Sequence, residues 1–325
     1  MQDRIFPRLI GRMVQGGLLV AAVCLVNFFL FYLSPGDPVH LYFSPRTDPG
    51  RLQTLREQRD LDQPWYVQFE RWGGRLIRGD LGYSWSQHRP VRDILAEALP
   101  ATLQLTLAAL FLNILLGCAV GMLSGIYAHR WWGRVLNGAA LFLYSVPSFW
   151  LALVAILIFS VSLGLFPASQ MSSVFADELP FSAYLWDRLR HLVLPATVLG
   201  LAGAAATARY VRGQVQEVLR QDYILLARAK GLSAGKVYLH HVLKNALLPV
   251  VTLLGLYFPF LLSGAFIIEV IFAWPGMGRV TYEAIFARDY PVIMAVNLLA
   301  AVMVLVGNFL ADVTYRLVDP RVNIG

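Results

Sequence analysis

Two acids, Glu269 and Asp312, stand at or inside long apolar runs, where an ionised side chain is costly and points to water, a partner or a pathway. Each also has a structural reading. Glu269 precedes the turn Trp274-Pro275-Gly276, where holding the turn is the stronger expectation. Asp312 shares a helical face with Asn308 and Tyr315, which suits polar packing against another chain better than ligand contact. Asn113, Ser145 and Ser148 add polar groups within apolar runs, and Pro147 and Pro259 remove internal hydrogen bonds and can kink their helices. A kinked, polar-lined helix suits a transient passage; the same small and polar residues also serve ordinary helix contacts. His129, His240 and His241 have no converging cysteine or carboxylate to complete a metal site. Cys24 and Cys118 fall in apolar runs without ligand spacing and read as packing residues. The sequence has no His-Glu-x-x-His, no Gly-x-Ser-x-Gly and no paired aspartates at the centres of apolar runs, so an intramembrane enzyme lacks its machinery. It also lacks a Gly-x-x-x-x-Gly-Lys-Ser/Thr phosphate cradle. No catalytic residue, metal or cofactor is expected in this chain.

The elements that must position these residues are membrane helices. Of 325 residues, 57% are apolar and 14% charged, with a mean hydropathy of +0.58, which leaves too little polar surface to cover a water-soluble globule. A span needs about 20 apolar residues in a helix, because every backbone polar group must be satisfied within the segment. Six stretches qualify: Met13–Leu33, Leu103–Tyr127, Leu136–Phe159, Leu192–Val211, Ala246–Ile271 and Val292–Tyr315. The first is too long for a signal peptide and no small-x-small cleavage site follows it, so it reads as a retained anchor. With six spans both termini share one side. That side carries a net charge of +10 and the other −2, so the termini are expected in the cytoplasm. The same distribution explains the pI near 9.5 without nucleic acid, for which no aromatic-interleaved basic surface exists.

Between the first two spans, Ser34–Pro100 is a polar insertion with nine Arg and nine acids, expected outside as a folded cap. Within it Gln53–Leu61 and Trp65–Leu76 look amphipathic and helical, while Pro35-Gly36-Asp37-Pro38 and Gly79-Asp80-Leu81-Gly82 read as turns. The connection Arg212–Asn245 holds all three lysines, Lys230, Lys236 and Lys244, and no acid occurs between Asp222 and Glu269. Its order is helix, turn, helix: Asp222 can N-cap a short helix, Gly231 suits the left-handed position that ends it, and Ser233 can cap the next. Tyr223, Leu226, Ala227 and the stem of Lys230 fall at i, i+3, i+4 and i+7, an apolar stripe that either docks in a partner's groove or lies on lipid headgroups.

At Asp222-Tyr223, Ala227-Arg228-Ala229-Lys230-Gly231-Leu232, His241, Leu243, Asn245-Ala246 and Pro249 the sequence resembles the permeases of binding-protein-dependent ABC importers, and within them the dipeptide, oligopeptide and nickel family. The resemblance extends through Leu33–Pro38, Gly79–Gly82, Leu99-Pro100-Ala101-Thr102, the run from Ile268-Glu269 to Trp274-Pro275-Gly276-Met277-Gly278, Asp289-Tyr290-Pro291 and Asp319-Pro320-Arg321, so it covers the chain from the first span onward. Gly73-Gly74 and Asp60 depart from it, in the insertion only. It implies an all-α integral membrane protein of six spans, divided into an anchor over 1–33, an extracytoplasmic insertion over 34–100 and a transmembrane domain over 101–325 with a coupling loop at 212–245. It also implies a second homologous permease, two ABC ATPase subunits that hold the ATP and magnesium, and an extracytoplasmic solute-binding protein. This chain would form half of a translocation pathway in the inner membrane, with peptide the first expectation as solute and nickel chelates, glutathione or another small solute as alternatives. Asp222, Tyr223, Leu226, Ala227, Arg228, Ala229, Lys230 and Gly231 would couple to the ATPase. Asn113, Ser145, Pro147, Ser148, Glu269 and Asp312 are the candidates for pathway or gate. A passive channel is the competing reading, separated by whether transport needs ATP and partner chains.

Overall fold

The computed structural model describes residues 5–33, 62–246 and 265–318, with side chains over 14–33, 62–246 and 265–309. Among them every regular element is helical apart from one isolated bridge, Tyr83 to Pro90. In chain order these are α1 (Ile5–Tyr32), α2 (Trp65–Ile77), α3 (Val91–Ile126), α4 (Trp131–Ser145), α5 (Ser148–Ala155, continued by a wider π-helical stretch Ile156–Ser162), a single 3-10 turn at Ala176–Glu178, and α6 (Phe181–Leu219). There follow α7 (Asp222–Ala229), α8 (Ala234–Lys236, continued by the π-helical Val237–Leu243), α9 (Met277–Phe286) and α10 (Tyr290–Val318).

Among the described residues four segments are long and apolar enough to cross a membrane, Val14–Tyr32, Val91–Ile126, Phe181–Leu219 and Tyr290–Phe309, and the bent pair Trp131–Ser145 with Ser148–Ser162 makes a fifth if it is one span. They overlap the expected first, second, fourth and sixth spans; the second starts earlier than expected and the fourth runs further at both ends. The second begins at Val91, so Leu99-Pro100 lies inside a helix rather than at its entrance. The expected third span, Leu136–Phe159, is not one helix. The chain bends by 105° between α4 and α5, because Val146 before the proline takes an extended conformation (φ −81°, ψ 127°) and Pro147 lacks the N–H to continue the ladder. Proline here breaks the span where the sequence suggested only a kink. Most of the expected fifth span, Ala246–Ile271, lies outside the described residues, as do Gln53–Leu61, Pro35–Pro38, Pro249 and Pro259; residues 265–271 are helical.

The chain forms two compact units, Met1–Leu99 with Arg279–Leu305, and Pro100–Gly278 with Val306–Gly325. In the first, Phe28 of α1 packs edge-on against Phe69 of α2 (5.2 Å between ring centres), and Phe31 meets Tyr290 at the start of α10 (4.3 Å). In the second, α4 and α5 both pack on α6, and α3 approaches α6 through Gly117, Gly121 and Gly125. A Cβ added at these three positions would stand 2.6 Å from Cβ of Thr207, 2.7 Å from Cβ of Val211 and 2.8 Å from Cγ1 of Val215. Only small residues at a four-residue spacing let two membrane helices approach this closely. Large apolar side chains such as Leu18, Leu30, Phe142 and Trp186 remain exposed, as a chain with membrane-spanning helices allows.

Candidate functional site

The short helix α7 stands between two backbone breaks. After α6 ends, Gln221 extends (φ −75°, ψ 143°) and occupies the N-cap position. Asp222 is therefore the first helical residue and makes no side-chain cap, against the sequence expectation. Its carboxylate still sits where the helix dipole favours negative charge. At the other end Gly231 turns left-handed (φ +76°), its N–H donating to Arg228 O (2.9 Å) while the Leu232 N–H donates to Ala227 O (3.3 Å). That pair of bonds is the Schellman closure, which favours glycine at this position. Ser233 takes the N-cap position of α8 (φ −60°, ψ 148°), again with no side-chain cap bond; its carbonyl accepts the Val237 N–H at 3.0 Å.

Ile224 (0% exposed) and Ala227 (6%) turn inward, onto a cluster with Val211, Val215, Val237 and Val242. Ala227 thus faces its own chain and not the outward stripe expected for it. The reason is the i, i+3 pairing of the two residues on one face; α6 and the π-helical stretch of α8 cover that face. Tyr223 (41%), Leu225 (56%) and Leu226 (56%) face outward, with Arg228, Ala229 and Lys230 exposed beside them. Leu225 is the residue the stripe omitted, and Ile224 the anchor it overlooked. Asn245 Nδ2–H donates to Tyr223 Oη (3.0 Å) and to His241 O (2.7 Å), tying α7 to the far end of α8. The result is a short, rigidly held helix that presents a tyrosine, two leucines and two cations outward.

The described pathway candidates stand on different elements. Asn113 is buried (1%) between α3 and α6, where its Oδ1 accepts the Thr207 hydroxyl at 2.7 Å; its Nδ2 has no hydrogen-bond acceptor among the described residues. Ser145 and Pro147 are exposed and Ser148 half-buried at the break between α4 and α5, and Ser145 Oγ–H is turned back onto Leu141 O (3.0 Å). Asp312 falls on the last part of α10, whose side chains lie outside the described residues. Cys24 and Cys118 are free thiols, and no group of three or more His, Cys, Asp or Glu that could hold a metal occurs among the described residues.

Glu269 is fully buried in a second structured cluster. Its Oε1 accepts the Thr102 hydroxyl (2.7 Å) and its Oε2 the Gly278 N–H (2.6 Å). Thr102 Oγ1 in turn accepts the Met277 N–H (2.7 Å), and Trp274 Nε1–H donates to Ala101 O (2.8 Å). Ala101-Thr102 and the segment Ile268–Gly278, more than 160 residues apart in the chain, are thereby pinned together. Both were singled out in the sequence, but their meeting was not legible there. A burial this complete is stable only because the carboxylate oxygens are hydrogen-bonded.

Comparison with known proteins gives the same identity from two directions. Residues 114–324 match the family of binding-protein-dependent transport system inner membrane components, and residues 5–106 the N-terminal part of such components. The chain is 36% identical over 318 residues to the oligopeptide transport system permease protein AppB of Bacillus subtilis (strain 168), covering 97% of this chain and 98% of that one. It is 37% identical over 325 residues to the glutathione transport system permease protein GsiC of Escherichia coli O6:H1 (strain CFT073), covering 99% of each. Among solved structures, the inward-facing MetNI methionine ABC transporter superposes with a TM-score of 0.57 at 19% identity, over 70% of this chain and 96% of that one, a likeness of fold. The chain therefore belongs to the family of binding-protein-dependent transport system inner membrane components, as a permease subunit of an importer and not an enzyme.

Proposed function

We propose that this subunit forms half of a translocation pathway for peptides and takes its energy from separate ATPase chains that dock on α7. Two ABC ATPase subunits, which hold the ATP and magnesium, a second homologous permease and an extracytoplasmic solute-binding protein complete the machine. The observation that carries the docking is the outward set Tyr223, Leu225 and Leu226 on a helix already anchored through Ile224 and Ala227. An apolar helix face seeks a groove, and a helix fixed at both ends can transmit the groove's movement to α6 and α8. The peptide assignment rests on relatives named for oligopeptide and glutathione transport. Glutathione import stands as a second reading on the same footing.

The membrane arrangement we propose has six spans, both termini in the cytoplasm, α7 on the cytoplasmic side and 34–100 outside, with the transmembrane domain over 101–325 and the coupling loop at 212–245. The charge split of the sequence supports it. A single cysteine placed at Glu70 on α2, in a cysteine-free background, should react with a membrane-impermeant maleimide added from outside; reaction only from the cytoplasmic side would invert the topology. For energy coupling, the purified complex in liposomes should take up radiolabelled oligopeptide only with ATP and binding protein present. Counterflow by this chain alone, without ATP, would overturn the partner assignment and favour a channel.

A further inference from the structure

Within the first unit, α1, α2, the turn 80–85 and the start of α10 enclose a cavity of about 270 Å³ that none of the transport chemistry above uses. Its walls are aromatic: Phe28, Phe31, Trp72, Tyr83, Trp85 and Tyr290. The rings are fixed against one another, Phe31 on Tyr290 at 4.3 Å and Trp85 on Tyr290 at 5.9 Å between centres. Arg75 and Asp80 also border it. Asp80 is engaged, since its Oδ1 accepts the Gly82 N–H (2.9 Å). Arg75 is exposed and forms no ion pair with a described residue.

We propose that this cavity holds one membrane phospholipid, a stretch of acyl chain among the rings and the phosphate on Arg75. Three observations select a lipid. The cavity lies at the end of two apolar helices, with Phe28 and Phe31 near the end of α1 and Pro291 and Met294 in the first turns of α10. Trp65 (44%), Tyr66 (58%) and Tyr32 (44%) are exposed on the two helices, α2 and α1, that contribute to its wall, and exposed Trp and Tyr collect where hydrocarbon meets water. Helix α2 has Phe69 and Trp72 against Phe28 on one side and carries Arg71 and Arg75 on the same 13 residues with a single acid, Glu70, the composition of a helix lying in the headgroup plane. A guanidinium pairs with phosphate through two parallel hydrogen bonds. The volume is below the usual range of roughly 300–1,000 Å³ for sites that enclose a whole ligand, so only part of the lipid enters and the rest lies along the exposed faces of α1 and α10.

The test uses the assembled transporter, purified in mild detergent and followed by native mass spectrometry during stepwise delipidation. Wild type should keep one phospholipid per copy of this chain after the annular lipids are gone. Arg75→Gln should lose it roughly tenfold more readily, as expected when one charge-assisted contact is removed, and Leu81→Trp, which fills the cavity, should not retain it. Arg78→Gln, on the turn after α2 and outside the cavity, should behave as wild type. In liposomes of phosphatidylethanolamine and phosphatidylglycerol with brominated acyl chains, quenching of tryptophan emission should fall when Trp72 is changed to Phe. Equal retention in wild type and Arg75→Gln would overturn the proposal. So would Trp72 emission that answers to a soluble tripeptide and not to brominated lipid, an outcome that makes the cavity a solute site and is readable in the wild-type and Trp72→Phe proteins even if Leu81→Trp fails to fold.

Discussion

Gly231 and Gly276 both close turns, and they are glycine for opposite reasons. At Gly231 the backbone is left-handed (φ +76°) and an added Cβ would meet nothing within 4 Å. At Gly276 the residue is buried and an added Cβ would run into the Glu269 carboxylate. The first is required by a torsion angle, the second by space. The surroundings differ in the same sense. Glu269, Phe272 and Trp274 are at most 1% exposed, whereas Tyr223, Leu225 and Leu226 are 41% or more. One region is finished within the chain; the other leaves an apolar face uncovered, which the docking proposed above would bury. Damage to the first should therefore appear in the stability of the permease itself, and damage to the second in what the permease can bind.

The largest effect should follow Gly276→Val. Its side chain would collide with a carboxylate that Thr102 and Gly278 hold in place, and overpacking joined to a broken buried network costs on the order of 3 kcal/mol or more. Folded protein should be scarce in the membrane fraction. Glu269→Ala should come next. It leaves the Thr102 hydroxyl and the Gly278 N–H without this acceptor, at about 1–3 kcal/mol each, and the midpoint of thermal aggregation of the detergent-solubilised permease should drop clearly. A wild-type midpoint in Glu269→Ala would show that the cluster is not the closed unit described.

Two neighbouring residues of α7 divide the comparison more finely. Ala227→Glu places a charge in the cluster beneath the helix, where an unpaired ion is not tolerated; proteolysis of the loop should accelerate even without ATPase subunits. Leu226→Glu changes an exposed side chain and should leave proteolysis and thermal stability unchanged while recovery of the ATPase subunits falls several-fold. If both variants lose stability equally, or if Leu226→Glu retains its ATPase partners and their stimulated hydrolysis, α7 lies on lipid and does not dock.

Much of this was legible in the sequence, for reasons that differ by element. Apolar run length locates membrane helices because the bilayer imposes a length, so α1, α3, α6 and α10 are legible in the sequence alone. Gly231 was also readable, since few other residues accept its backbone angle. The orientation of α7 was not. Tyr223, Leu226 and Ala227 make as good a stripe as Ile224 and Ala227, and only the helices that pack on one face decide which of them is inside. The Glu269 cluster was hidden for another reason: pairing of Thr102 with Glu269 is set by tertiary contact across 167 residues, which no local period encodes. The spacing Gly117-x3-Gly121-x3-Gly125 did contain a usable signal for the α3–α6 seam, and the 105° break at Pro147 shows how far one residue can turn an apolar run from one straight helix into a bent pair.

The smallest effect tests the torsional half of the opening comparison. If Gly231 is there only for its angle, replacement by valine adds a steric cost of about 1 kcal/mol or somewhat more, tilting α7 without uncovering the cluster of Ile224 and Ala227. Asparagine, which enters the left-handed region with less strain, should recover most of the loss because nothing stands where its side chain would go. The ordering expected for binding-protein-stimulated ATP hydrolysis is therefore wild type, then Gly231→Asn, then Gly231→Val, with permease stability nearly constant across the three. Lys236→Gln, exposed on α8, should match wild type and sets the noise of the assay. At Gly276 no such rescue exists, since asparagine would meet the same carboxylate as valine. Should Gly231→Asn prove as damaging as Gly231→Val, the space around Gly231 must be occupied in the assembled transporter, and the turn would then belong to the docking surface itself.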